Sequence, residues 1–218
     1  MLLVFDLDGT LIDSVRDLAV AANELVTTLG GRPLDQGDVA GMVGDGAPVL
    51  VKRVLAAAGL DPEMPDVLPQ FLQIYDRHLL DTTVAYAGID EALLMASRRA
   101  RMAVLTNKPL GPSQRILEAL GLLRYFDAVI GGDSPHGRKP DPTGLRTLSA
   151  GTPGVMLIGD SPIDAQTAGA AGCAFGWARY GFSAARFGAA APDTPYVLDK
   201  PADLGALLDR FAAVQTGA

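Results

Sequence analysis

The chain has 218 residues, 49% of them apolar and 20% charged, with a formal net charge of -7. This is the composition of a soluble globular protein with room for one medium domain, or one domain carrying a modest insertion. The acidic balance argues against nucleic acid or an anionic membrane as the main partner, because both reward clustered Lys and Arg. One cysteine, Cys173, excludes an internal disulfide and suits a reducing, cytoplasmic setting; among its small neighbours it is expected to be a buried apolar side chain.

In chain order, residues 2–5 form a short apolar run that meets Asp6 at once, which reads as an opening strand and not as a signal peptide. No apolar run approaches the length of a membrane span. From residue 14 to about 82 the pattern is helical, with no convincing strand. Val15, Leu18, Ala19, Ala22, Leu25, Val26 and Leu29 make one apolar stripe that Gly30 and Gly31 end, and residues 47–58 and 65–80 give further helices. Beyond this stretch, strands are predicted at 102–106, 128–131, 155–159 and 174–178, and helices at 88–99, 112–120, 142–150 and 162–171. Residues 189–192 read as a loop. Strand-helix alternation predicts an α/β, Rossmann-like, doubly wound parallel sheet. The all-helical segment is then an inserted cap domain at 14–82, and residues 1–13 and 83–218 form the core, with hinges expected near 13–14 and 81–84.

Four motifs stand at predicted strand ends. In the first, DLDGTLIDS from Asp6 to Ser14, residues two apart on an extended chain point the same way, so Asp6 and Asp8 are expected to project together. Two crowded carboxylates need a cation, a shared proton, or both. The same run also suits an ordinary strand-to-helix turn. The second motif, Thr106-Asn107-Lys108, offers a hydroxyl and backbone N–H groups to a phosphoryl oxygen, or simply a helix cap. The third centres on Lys139, flanked by Pro140; Lys139 is either a site cation or a solvated surface lysine. The fourth carries Asp160 at a strand end and Asp164 in a first helical turn. There Ser161 as N-cap and Pro162 at N1 account for Asp164 more fully than for Asp160.

In this order and context the four motifs closely resemble the haloacid dehalogenase superfamily of phosphohydrolases, over nearly the whole chain. The phosphoglycolate phosphatase-like branch is the most similar, because the Gly44-Asp45-Gly46 loop resembles its cap loop. The resemblance implies a phosphatase with Asp6 as nucleophile and Asp8 as general acid and base, since Asp8-Gly9-Thr10 differs from the pattern of related phosphonatases and sugar phosphomutases. It further implies Mg²⁺ held by Asp6, Asp8 (through its backbone carbonyl), Asp160 and Asp164, with Thr106 and Lys139 on the phosphoryl oxygens. Asn107, Gly44, Gly46 and Arg53 (with Lys52 a lesser candidate) are expected near the rest of the substrate. The implied substrate is a small phosphorylated metabolite, 2-phosphoglycolate first. A sugar phosphate, a nucleoside monophosphate, pyrophosphate, a mutase reaction or a non-catalytic phosphate-binding protein are the alternatives. A monomer or homodimer is expected.

Overall fold

The computed structural model describes residues 1–188 and 191–216, so the loop expected at 189–192 lies partly outside the described residues. In chain order the strands are β1 (Leu2–Phe5), β2 (Ile12–Asp13), β3 (Val84–Ala85), β4 (Arg101–Leu105), β5 (Ala128–Ile130), β6 (Val155–Gly159), β7 (Ala174–Ala178) and β8 (Tyr196–Leu198). Helices α1 (Val15–Thr28), α2 (Gln36–Ala40), α3 (Ala47–Ala57) and α4 (Val67–Arg77) fall between β2 and β3. They are followed by α5 (Ile89–Ala96), α6 (Leu110–Ala119), α7 (Thr143–Ser149), α8 (Pro162–Ala171) and α9 (Leu204–Thr216).

Six strands make one parallel sheet in the order β5-β4-β1-β6-β7-β8, while β2 and β3 form a separate antiparallel pair. The fold is therefore a doubly wound, Rossmann-like sheet with an all-helical insertion. Successive strands grow outward from β1 in both directions, which places the topological switch point at its carboxyl end. There Phe5 lies opposite Val104 on one side and Ile158 on the other, so the residues following β1, β4 and β6 converge.

Alternation along the strands explains why β1 is apolar throughout. Leu3 and Phe5 join Val104, Ile158, Leu93 of α5 and Leu207 of α9 in one cluster. Leu2 and Val4 join Leu105, Leu157, Leu145 of α7 and Ala168 of α8 in another. Both faces are covered, as a parallel sheet requires. Cys173 packs at the edge of the second cluster and is half-buried, not fully buried as expected.

Helices α1, α3 and α4 and strands β1, β4, β5, β6 and β7 follow the sequence pattern, with shifts at their ends, whereas α2, β8 and α9 were not predicted. Helix α6 starts at Leu110, before the predicted 112, because Asp133 Oδ1 accepts the Leu110 N–H at 2.8 Å and Pro112 fits within a first turn. The two-residue strands β2 and β3 carry too few residues to show a period. No helix among the described residues is long and apolar enough to cross a membrane.

The two ends of the insertion are tied together by one buried carboxylate. Asp17, in the first turn of α1, accepts the N–H and hydroxyl of Thr82 (3.0 and 2.5 Å to Oδ1) and those of Thr83 (2.8 and 2.7 Å to Oδ2). These bonds hold the Asp17 carboxyl below the ordinary aspartate range although burial opposes them. Replacing Asp17 by Ala leaves four donors without their acceptor, so Asp17→Ala is expected to lower the unfolding free energy by roughly 2–4 kcal/mol, read from urea denaturation.

Candidate active site

Asp6 follows β1 directly, and its N–H donates to the Ile158 carbonyl at 2.8 Å, which carries the ladder one residue past the strand. Its side chain is buried, with Oδ1 accepting the Leu7 N–H at 2.7 Å and lying 2.8 Å from Lys139 Nζ. No described residue donates to Oδ2. Lys139 Nζ also donates to Asp164 Oδ1 at 2.6 Å, and its side chain has no exposure to solvent. The solvated-lysine alternative is therefore excluded, and the ammonium sits between two carboxylates.

Asp160 and Asp164 differ as their positions suggested. Asp164 Oδ2 accepts the N–H and hydroxyl of Ser161 at 3.1 and 2.6 Å, completing a capping box at the start of α8. Asp160 Oδ2 accepts the Ser183 N–H at 2.8 Å, while its Oδ1 is buried with no hydrogen-bond partner. The backbone closes tightly around this group. Gly9, at φ +85°, has no space for a side chain, since a Cβ there would strike the Asp160 carboxylate, and Gly181 presses on Gly9 and Asp160 in the same way.

Asp6, Asp160 and Asp164 each offer an oxygen, and these oxygens lie within 4.8 Å of one another. Fully ionised, the three carry one more negative charge than Lys139 and a monocation together would balance. Two charges are left over after Lys139 alone, which matches a divalent ion. The unpartnered, buried Asp160 Oδ1 points to the same conclusion: this donor set fits a small hard cation with oxygen ligands. Burial pushes the Asp6 carboxyl up to about 7, with Asp164 and Asp8 adding to it and Lys139 opposing. Burial, then Asp164 and Asp6, raise Asp160 well above the ordinary aspartate range. For Lys139 burial opposes the charge, but Asp164 and Asp6 outweigh it and hold the ammonium above its ordinary range. The Asp8 carboxylate is not part of this cluster.

Asp6 and Asp8 both line a cavity of about 460 Å³ between the sheet and the insertion. Each of these two side chains has its own lysine, Lys139 for Asp6 and Lys108 for Asp8. Lys108 Nζ donates to Asp8 Oδ1 at 2.8 Å and Oδ2 at 3.0 Å, and Ser14 Oγ donates to Oδ1 at 2.5 Å. Thr106, Asn107, Gly44 and Gly46 also line the cavity. Thr106 Oγ1 accepts the Lys108 N–H at 3.2 Å, and Asn107 Nδ2 donates to the carbonyls of Gly44 (3.2 Å) and Lys139 (3.0 Å). Asn107 thereby links three of the predicted segments. Gly44 and Gly46 have φ of +119° and +90°, and Asn107 backbone abuts Gly46.

Arg53 is not brought to the cavity. Its guanidinium pairs with Asp45 and donates to the Met42 carbonyl at 3.0 Å, while Lys52 lies outside and pairs with Glu63 at 2.7 Å. Among the lining residues the one cation is Lys108, which sequence reasoning passed over as part of a strand-end cap. The segment after β7 was also unforeseen. There Ser183 reaches Asp160, and Arg186 Nη2 lies 2.6 Å from Asp45 and Nη1 2.5 Å from the Val43 carbonyl, tying the core to the insertion. Only the small Gly181 and Ser183 hinted at a close approach.

Fold and site together define an α/β protein with a cluster of buried strand-end carboxylates beneath a helical insertion. The sequence model of the haloacid dehalogenase-like hydrolases matches residues 3–178. A phosphoglycolate phosphatase of Cereibacter sphaeroides is 42% identical over 178 residues, covering 79% of this chain and 82% of its own. One of Rhodospirillum rubrum is 41% identical over 192 residues, covering 83% and 80%. The crystal structure of a predicted phosphoglycolate phosphatase from Haemophilus somnus 129PT superposes with a TM-score of 0.84 at 27% identity, covering 95% of this chain and 97% of that one. The chain belongs to the haloacid dehalogenase-like hydrolase family.

A carboxyl whose value is raised on folding contributes stability below the ordinary aspartate range, and that contribution is lost as pH rises through its folded value. With chelator present, the thermal midpoint is therefore expected to fall between about pH 5 and about pH 8, through Asp6 at about 7 and through Asp160. A divalent cation should restore several degrees, more at the higher pH, because binding at the lower pH must displace protons. The difference between chelated and cation-loaded protein separates these groups from His78, which its bonds to Asp81 and Glu24 hold above the ordinary histidine range and which acts with the same sign. Scanning calorimetry at the two pH values, with and without cation, checks it; a cation effect independent of pH would count against the cluster.

Proposed function

We propose that the chain is a Mg²⁺-dependent phosphatase of small phosphate monoesters, with 2-phosphoglycolate the first expected substrate, working through an aspartyl phosphate on Asp6. The observation that carries it is Asp6 itself: a buried carboxylate at the switch point, with one oxygen fixed by Leu7 and Lys139 and the other without a donor, facing a cavity that Asp8 shares. The substrate follows from the relatives' names. In this reading the core comprises residues 1–13 and 83–218 and the cap 14–82.

Asp6 Oδ2 attacks phosphorus while the ester oxygen leaves with a proton from Asp8. Water then attacks the aspartyl phosphate, Asp8 takes its proton, and phosphate departs to restore Asp6. Lys139 holds the nucleophile in orientation and places positive charge beside the equatorial oxygens, to which Thr106 adds a hydroxyl. Asp6, the Asp8 backbone carbonyl, Asp160 and Asp164 would hold Mg²⁺, which would supply the positive charge that lets an anionic nucleophile meet an anionic phosphate. Gly44, Gly46 and Asn107 close the cavity over the reacting group and limit water. The single cysteine supports a cytosolic setting and the net charge of -7 supports a small-molecule partner and not nucleic acid.

The cavity favours a second reading on substrate. Leu18, Leu50, Phe71 and Leu72 line it, so an ester with a bulkier and less polar alcohol than glycolate would bury more surface there.

Phosphate release from 2-phosphoglycolate and a panel of sugar, nucleoside and alkyl phosphates is expected to require Mg²⁺ and to stop with chelator. Asp6→Asn should lower kcat by at least about 10³-fold on every ester. The rank of kcat/KM selects the substrate, and turnover unaffected by Asp6→Asn would sink the mechanism.

A further inference from the structure

Lys108 is buried beside the cavity, in the turn between β4 and α6, and two features set it apart from Lys139. It serves Asp8 and not the carboxylate cluster, and it is covered from the insertion: the Tyr75 ring of α4 stands over its ammonium, 4.7 Å from Nζ to the centroid. One ammonium thus joins a core carboxylate to an insertion helix. Burying such a charge costs several kcal/mol unless its partners are in place, and here the partners are Asp8 below and an aromatic face above.

The donors on Asp8 are unevenly spread. Oδ1 takes Ser14 Oγ at 2.5 Å and Lys108 Nζ at 2.8 Å, while Oδ2 has only the longer Lys108 contact at 3.0 Å. Ser14 and Lys108 meet at Oδ1, so together they fix the orientation of the carboxyl and leave Oδ2 the less engaged oxygen. Lys108 pairs with Asp8, whereas the cluster's ammonium is Lys139, which pairs with Asp6 and Asp164.

We infer that Lys108 is a positioning residue that fixes Asp8 for proton transfer, and that Tyr75 makes this positioning depend on the insertion packing over the site. The inference rests on the phosphatase reading above. It differs from a carboxylate-binding or purely structural role in one respect: it affects only steps in which Asp8 moves a proton.

Two esters separate those roles. The p-nitrophenolate of p-nitrophenyl phosphate leaves without a proton, whereas the alcohol of ethyl phosphate requires one. In rapid-mixing pre-steady-state measurements with Mg²⁺ and substrate in excess, Lys108→Met is expected to keep the p-nitrophenol burst, whose amplitude also counts folded, competent sites. Alcohol release from ethyl phosphate should fall on the order of 10²-fold. Tyr75→Leu should move the ratio of the two rates in the same direction by a smaller factor, and Lys108→Arg should recover part of the loss. An equal fall on both esters in Lys108→Met and Tyr75→Leu, or no change in their ratio, would overturn the inference. Should Lys108→Met lose the burst altogether, the ratio in Tyr75→Leu decides. Failure of the unsubstituted chain to release either leaving group would instead remove the phosphatase reading on which the inference stands.

Discussion

Three carboxylates meet at the carboxyl ends of β1 and β6 with only one ammonium among them, and much of the surrounding structure exists to hold that arrangement. Asp6, Asp160 and Asp164 are each less than 5% exposed, with oxygens within 4.8 Å of one another. At such separations two like charges repel by several kcal/mol even at the effective dielectric of a protein interior, about 20. Lys139 offsets part of this from a loop that follows β5, far away in sequence. Ser161 and Ser183 offset more through hydrogen bonds. Gly9 and Gly181 are small because any side chain there would occupy the space the carboxylates need.

The parallel sheet makes this concentration possible. Its strands all deliver their next residues to one edge, and at β1 the direction of winding changes, so no crossover helix fills the space above it. Covering both faces with apolar helices makes the strands rigid, which fixes the position of each residue just beyond them. A site assembled from the first residue past β1, β4 and β6 inherits that precision. The price is electrostatic, and a divalent cation relieves it without adding buried positive side chains.

The insertion contributes a different kind of control. Asp17 binds its departing and returning ends into one unit, so α1 and the residues before β3 are constrained to move together. Arg186 and Asn107 reach up from the core to the Val43–Asp45 loop, and Lys108 reaches to Tyr75. Asp6 and Asp8, which both line the cavity, therefore stand in different settings. Asp6 is held wholly by the core, whereas Asp8 is held by a lysine that the insertion covers.

The sequence by itself determined five of the sheet's six strands, missing β8, the helical character of the segment between β2 and β3, and the placing of Asp6 and Asp160 just past strand ends. Short apolar runs bounded by turn residues are local patterns, and those of β1, β4 and β6 lead directly into Asp6, Thr106 and Asp160. It also separated Asp160 from Asp164, since a helix-start signature is local too. Periodicity was silent about β2 and β3, which are two residues long. What only the tertiary structure decided was which charges meet. Lys139 could have been solvated and Arg53 could have faced the substrate; instead Lys139 is enclosed and Arg53 is spent on Asp45. Lys108 looked like the end of a strand-to-helix turn and is, among the described residues, the one cation lining the cavity. Ion pairing acts between side chains dozens of residues apart, through burial and distance that no spacing along the chain encodes.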